Sequence, residues 1–200
     1  LSRNIIEKFN SNRHVYIPNF IDQNKCEELT NTFKNGILSG KFFNDPQCNK
    51  SLANQFGIFD PLLEELQPRI EEATGITLYP TVSYCRWYLP EEELTIHQDR
   101  PACEISATLT VGFQGSPWSI FMGQNQDKTN AFELKMNIGD IVIYRGCELF
   151  HWREKYVEGD WQAQIFLHYV DANGPFKEWK YDKKLGMFHQ LNEKGELRNA

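Results

Sequence analysis

YCRWYLPEEELTIHQD, residues 84–99, is the stretch on which the fold turns. It ends in His97-Gln98-Asp99, so His97 and Asp99 stand two positions apart. On a strand, such residues leave from one face, whereas a helix sends them in divergent directions. The preceding residues follow Pro90, which favours extended backbone. A His and an Asp on one face of a strand are adjacent metal ligands. A second His from a neighbouring strand completes a 2-His-1-carboxylate face, which suits Fe(II) and leaves the opposite coordination positions open. A three-ligand zinc site draws on the same residue types.

The distal histidine is read as His151, which opens a strand after Gly139-Asp140 and a glycine turn at Gly146. His168 is its competitor, but it sits late in the last expected strand, where packed histidines are common. His14 lies before the strand-rich region and His189 in the tail.

Working outward, short β-like runs separated by Gly, Pro, Asn or charged turns fill residues 76–171. They are TLYPTVSYCRWYL, CEISATLTVGF, PWSIFMG, AFELKM, GDIVIYRG, LFHWREKY and WQAQIFLHYV. About eight strands in such a span read as a mainly β, double-sheet jelly roll with flanking helices. Upstream, residues 14–20 read as a strand and residues 22–34 as an amphipathic helix with Asp22 as N-cap. Residues 36–58 read as an irregular excursion. Asp60 is expected to cap a second helix, with Pro61 in its first turn and Gly75 at its end. The expected organisation is one domain: support over 1–75 packed on one sheet, a barrel over 76–171, and a tail over 172–200 lying along the barrel or near its mouth. The excursion and the 114–130 loop are the expected walls and lids. Trp87, Trp118, Trp152 and Trp161 are expected to pack the barrel.

The composition is 40% hydrophobic and 14% aromatic, which is that of a globular protein. A net charge of −6 argues against a broad footprint for nucleic-acid backbone. The five cysteines contain no C-x-x-C pair, which argues against a disulfide framework and a thiolate zinc site and suits a reducing cytosol. No apolar run approaches membrane-spanning length, and a cytoplasmic location is expected.

YCRWYLPEEELTIHQD, GDIVIYRGCELFHW and EGDWQAQIFLHYV together resemble the 2-oxoglutarate- and Fe(II)-dependent dioxygenases, in particular their prolyl-4-hydroxylase-like branch. The entry VYIPNFIDQNKCEEL resembles the N-terminal strand and helix of that branch, so the likeness runs from about residue 14 to residue 171. It implies a double-stranded β-helix, a form of jelly roll. It also implies an iron centre at His97, Asp99 and His151, 2-oxoglutarate and O2 as co-substrates, and hydroxylation. The substrate would be a peptidyl side chain such as proline, or a small amino-acid-like metabolite. In that branch a Lys or Arg about ten positions after the distal His holds the far carboxylate of 2-oxoglutarate. Here that position is Trp161, with Gln162 beside it. Arg153, two residues from His151, and Arg86 are the arginines that can substitute, as a bidentate partner for a carboxylate. Tyr88 aligns with a tyrosine that often touches the co-substrate, and Gln164 offers an amide donor. Tyr84 and Arg100 are the expected substrate-side residues. The alternatives are a cupin-type metalloenzyme that uses no 2-oxo acid and a jelly-roll binding module that keeps the motif without redox chemistry.

Overall fold

The computed structural model describes residues 2–45, 47–48, 50–55 and 57–183. Among them are three helices, α1 (Ser2–Asn12), α2 (Gln23–Leu38) and α3 (Asp60–Thr74). The first strands are β1 (His14–Ile17), β2 (Phe43–Asn44), β3 (Leu52–Asn54) and β4 (Leu78–Tyr88). They are followed by β5 (Leu94–His97), β6 (Ile105–Gly115), β7 (Ile120–Gly123) and β8 (Phe132–Leu134). The last are β9 (Ile141–Arg145), β10 (Phe150–Arg153) and β11 (Gly159–Asp171). They form two antiparallel sheets: a major one in the order β1-β9-β6-β11-β4-β3-β2 and a minor one in the order β5-β10-β7-β8. This is the expected jelly roll, with the helices on the outer face of the major sheet.

Strand alternation explains both faces of the major sheet. Ile105, Ala107, Leu109 and Val111 on β6, with Ala163, Ile165, Leu167 and Tyr169 on β11, face the helices. They pack there against Phe9, Phe33, Leu63 and Ile70 in one apolar cluster. The intervening residues Ser106, Thr108, Thr110, Gln162, Gln164 and His168 are also buried, but inside the barrel. Burying polar groups costs free energy unless each finds a partner. A ladder provides them: Thr110 Oγ1 donates to Gln164 Oε1 (3.1 Å), and Gln164 Nε2 donates to Thr108 Oγ1 (2.7 Å). A fold needing only stability would fill this space with aliphatic side chains, so the polar interior marks a site.

Asp140, of the Gly-Asp pair, is a staple between elements. It accepts from Tyr16 Oη (2.5 Å), Asn19 N (2.9 Å) and Asn137 N (2.7 Å). Gly139 has φ +91°, and a Cβ there would meet the Ile21 carbonyl at 2.6 Å. Asp22 caps α2 by accepting from Lys25 N at 2.8 Å, as expected. Asp60, by contrast, lies inside the first turn of α3, and Phe59 occupies the cap position. The Asp60 carboxylate instead takes a buried hydrogen bond from Ser83 Oγ at 2.7 Å.

Two elements went unanticipated. Helix α1 offers only Ile5, Ile6 and Phe9 as apolar positions and has no capping signal, yet Phe9 is wholly buried. The 36–58 excursion contains the β2–β3 hairpin, which joins the major sheet through Leu52↔Trp87 and Ala53↔Arg86. No described helix is long and apolar enough to cross a membrane. Of the tail, the segment Lys177–Lys183 packs beside β4 and β11, while residues 184–200, with His189, lie outside the described residues.

Candidate metal centre and its cavity

The antiparallel register of β5 and β10 sets His97 directly opposite His151, with ring centroids 4.2 Å apart. Asp99 follows β5 and turns back between them. Its Oδ1 lies 3.4 Å from His151 Nε2 and 3.9 Å from His97 Nε2. One donor atom from each residue lies within 4.8 Å of the others.

The imidazoles are oriented by backbone. His97 Nδ1 lies 2.8 Å from the Thr95 carbonyl and His151 Nδ1 lies 3.1 Å from the Leu149 carbonyl. A proton on each Nδ1 satisfies these carbonyls and leaves the Nε2 lone pairs facing Asp99. Burial and the neighbouring His151 lower the His97 pKa, which keeps that ring neutral and able to ligate. Burial also works against charge on Asp99. The facing His151 and the hydroxyl of Ser106 outweigh it and hold the carboxyl well below the ordinary range. Two imidazole nitrogens and an ionised carboxylate oxygen thus converge, a donor set that fits Fe(II).

Asp99 divides its oxygens between two tasks. Oδ1 faces the imidazoles, while Oδ2 accepts from Ser106 Oγ at 2.7 Å. His168 stands behind Ser106, with Nδ1 2.9 Å from the same hydroxyl, so it meets the centre through that bridge. Gly146 completes the seat, because Asp99 N donates to its carbonyl at 2.9 Å. A Cβ on Gly146 would strike the Cys103 carbonyl and Asp99 Oδ2, and would meet Ser106 Oγ at 2.7 Å. Gly146→Ala should therefore displace Asp99. Metal affinity should fall roughly 10–100-fold, as for other changes that misorient a ligand, and overpacking should cost about 1–3 kcal/mol of stability. Metal titration alongside urea unfolding measures both.

Burial depresses the His168 pKa to about 4. In the unfolded chain this residue takes its proton near pH 6.5, so stability is lost as pH falls from about 6.5 through about 4. For the metal-free protein this amounts to about 2 kcal/mol between pH 7 and pH 5. Urea unfolding at the two pH values should show the loss, and His168→Gln should lack it.

A cavity of about 610 Å³ opens over the centre, lined by His97, Asp99 and His151 together with Tyr84, Arg86 and Arg100. Ile120 is the part of the 114–130 loop that reaches it; the excursion contributes Asp45, Gln47 and Gln55. Asp45 accepts from Tyr84 Oη (2.6 Å), Arg86 Nε (2.5 Å) and Gln47 N (2.7 Å). Arg86 also donates to Gln47 Oε1 and to Tyr88 Oη (3.2 Å), so each of its nitrogens is engaged. Burial opposes the Asp45 charge, and the Arg86 cation overrides it.

Arg153 is different. It does not line this cavity but lies deeper in the barrel, 2% exposed, against the rings of Tyr88 and Trp118. Nη1 donates to the Trp118 carbonyl, while Nε and Nη2 are buried with no partner among the described residues. Trp161 stacks on Trp87 with centroids 4.2 Å apart, in the layer facing the helices. Its neighbour Gln162 points inward, and Gln162 Nε2 reaches the same Trp118 carbonyl at 3.4 Å. The guanidinium of Arg153 thus arrives beside the Gln162 amide from the opposite sheet.

Sequence reading had not singled out Asp45, Gln47, Ser106 or Asp182 for the site. Ser106 carried a usable signal: it stands second in the strand after the H-x-D turn and shares inward parity with Thr108 and Thr110. Asp182, from the tail, pairs bidentately with Arg100 at 2.6 and 3.0 Å.

No protein-family model and no curated protein sequence matches this chain. Solved structures do match its fold. An oxidoreductase of the 2OG-Fe(II) oxygenase family from Burkholderia pseudomallei superposes with a TM-score of 0.69 at 10% identity, covering 87% of this chain and 92% of that one. A Pseudomonas putida prolyl-4-hydroxylase gives 0.65 at 12% identity, covering 84% and 98%. HygX from Streptomyces hygroscopicus, solved with nickel, 2-oxoglutarate and hygromycin B bound, gives 0.68 at 13% identity, covering 86% and 88%. The chain has the jelly-roll fold of the 2OG-Fe(II) oxygenases. Prolyl-4-hydroxylases are among the structures that share it.

Proposed function

We propose that the protein is an Fe(II)- and 2-oxoglutarate-dependent dioxygenase, with His97, Asp99 and His151 as iron ligands and Arg153 as the partner of the far carboxylate of 2-oxoglutarate. The observation that carries this reading is the buried, unpaired edge of Arg153. Nε and Nη2 form the side of a guanidinium that grips a carboxylate with two parallel hydrogen bonds. A permanent cation so deeply buried is costly without an anion. Arg86 is held by Asp45 and serves as a fixed wall.

Formal charge supports the assignment. The two arginines and a divalent iron carry four positive charges, and Asp45 with Asp99 carries two negative ones. A dianionic 2-oxo acid brings that inner set to neutrality. Gln162, Gln164 and Tyr88, buried in the barrel interior, are neutral hydrogen-bonding groups and add no charge of their own. When bound, iron and 2-oxoglutarate would supply the oxidative chemistry with O2 as oxidant: one oxygen atom goes to the succinate formed as CO2 leaves, and the other becomes the hydroxyl on a substrate C–H carbon. The structures that share the fold include proteins whose names record proline and hygromycin B. A peptidyl side chain such as proline, or a small amino-acid-like metabolite, is the proposed substrate.

The test is anaerobic addition of Fe(II) and 2-oxoglutarate. The expected result is the weak visible charge-transfer band of the chelate, followed by succinate formation once oxygen is admitted. Metal binding without that band would return the protein to the cupin-type reading.

A further inference from the structure

The second arginine at the cavity, Arg100, points to the substrate's own chemistry. Arg86 and Asp45 are a permanent pair, with side chains 8% and 0% exposed and both close to the barrel wall. Arg100 is 48% exposed, and its partner Asp182 comes from the segment that follows the last strand. Both Arg100 and Asp182 line the cavity over the metal centre.

Three features show that this carboxylate is replaceable. The pair is bidentate, but its Arg100 side is 48% exposed against 15% for Asp182, so solvent and an incoming anion reach the guanidinium. Asp182 lies in a run of three non-glycine residues with left-handed backbone, Tyr181 (φ +53°), Asp182 (+55°) and Lys183 (+61°), a conformation that L residues adopt at a cost. The surroundings are cationic as well: Lys183 Nζ lies 3.9 Å over the Trp179 ring and Lys180 Nζ lies 4.4 Å over the Tyr79 ring. Arg100 lies over the same Trp179 ring, 5.8 Å from its centroid. A carboxylate entering the cavity meets a guanidinium fork, and the acid already there belongs to a strained strap outside the barrel.

We propose that the substrate carries a carboxylate that takes Arg100 from Asp182, so that Asp182 holds the substrate's place until it arrives. This rests on the oxygenase reading for the identity of the reaction, but not for the binding itself. Substrates with a free carboxylate enter by exchange, and uncharged analogues must leave the internal pair intact.

The experiment is calorimetric titration of the metal- and 2-oxoglutarate-loaded protein, kept anaerobic, with a panel of amino acids and N-acetyl amino acids and their matched carboxamides. At least one acid should bind ten times more tightly than its amide. Arg100→Gln should erase that preference, and Asp182→Asn should tighten the acid by several-fold because its competitor is gone. A purely structural Asp182 predicts the reverse, weaker binding of the acid in Asp182→Asn, and that result overturns the proposal. So does equal binding of acid and amide throughout the panel. The charge-transfer band read in the same samples separates the two ideas: its presence without acid preference counts against the exchange alone.

Discussion

Asp99→Ala should abolish succinate formation and weaken Fe(II) binding far beyond the roughly 10–100-fold that changes around a ligand produce. The reason lies in how the carboxylate is used. Oδ1 is the oxygen that both imidazoles face, and no other described carboxylate joins them in the cluster. Ser106→Ala is the informative comparison, since it removes the hydroxyl that donates to Oδ2 and bridges to His168 while leaving Oδ1 and both imidazoles in place. It should fall within that 10–100-fold band and leave the reaction detectable. Succinate assays on the two variants, with iron content measured in each, give the ranking. Turnover that survives in Asp99→Ala would remove the metal assignment altogether.

Arg153→Met should raise the 2-oxoglutarate requirement between about 30-fold and several thousandfold. Losing one partner of a buried charge pair costs about 2–5 kcal/mol, and each 1.4 kcal/mol is tenfold. The same change should make the ligand-free protein more stable by about 1–3 kcal/mol, the cost of buried donors without acceptors. Arg86→Met should do the opposite. It strands Asp45 in the barrel wall, and breaking a buried pair from one side costs about 3–5 kcal/mol. Thermal unfolding with and without 2-oxoglutarate reads all these effects. The expected pattern for Arg153→Met is a higher melting temperature alone and no further rise on adding the ligand. Retained affinity in Arg153→Met would move the anion site elsewhere.

Much of this architecture was legible because it is periodic. The alternation along CEISATLTVGF and WQAQIFLHYV marks strands with two different buried faces, and the i, i+2 spacing of His97 and Asp99 states that they share one. The register that places His151 opposite His97 required the fold, as did the Ser106 bridge from Asp99 to His168. Parity also resolves the position of Trp161: it belongs to the helix-facing layer, and the inward residue is Gln162. The features that escaped are those without a period. Helix α1 has too few apolar residues to announce itself. Asp45 and Gln47 lie in a polar turn that becomes a cavity wall only when β3 pairs with β4. Asp182 reaches Arg100 across 82 positions of sequence, a separation that no local pattern encodes.

Strand β10 carries both a proposed metal ligand and the buried cation, since His151 and Arg153 are two steps apart. On a strand two steps span about 6.5–7 Å along the backbone. One rigid element would then hold a five-carbon diacid at both ends, as a caliper holds a rod. Such a gauge measures length as well as charge. On the proposed assignment, a 2-oxo diacid one carbon shorter or longer would carry the same two end groups and fail to seat both.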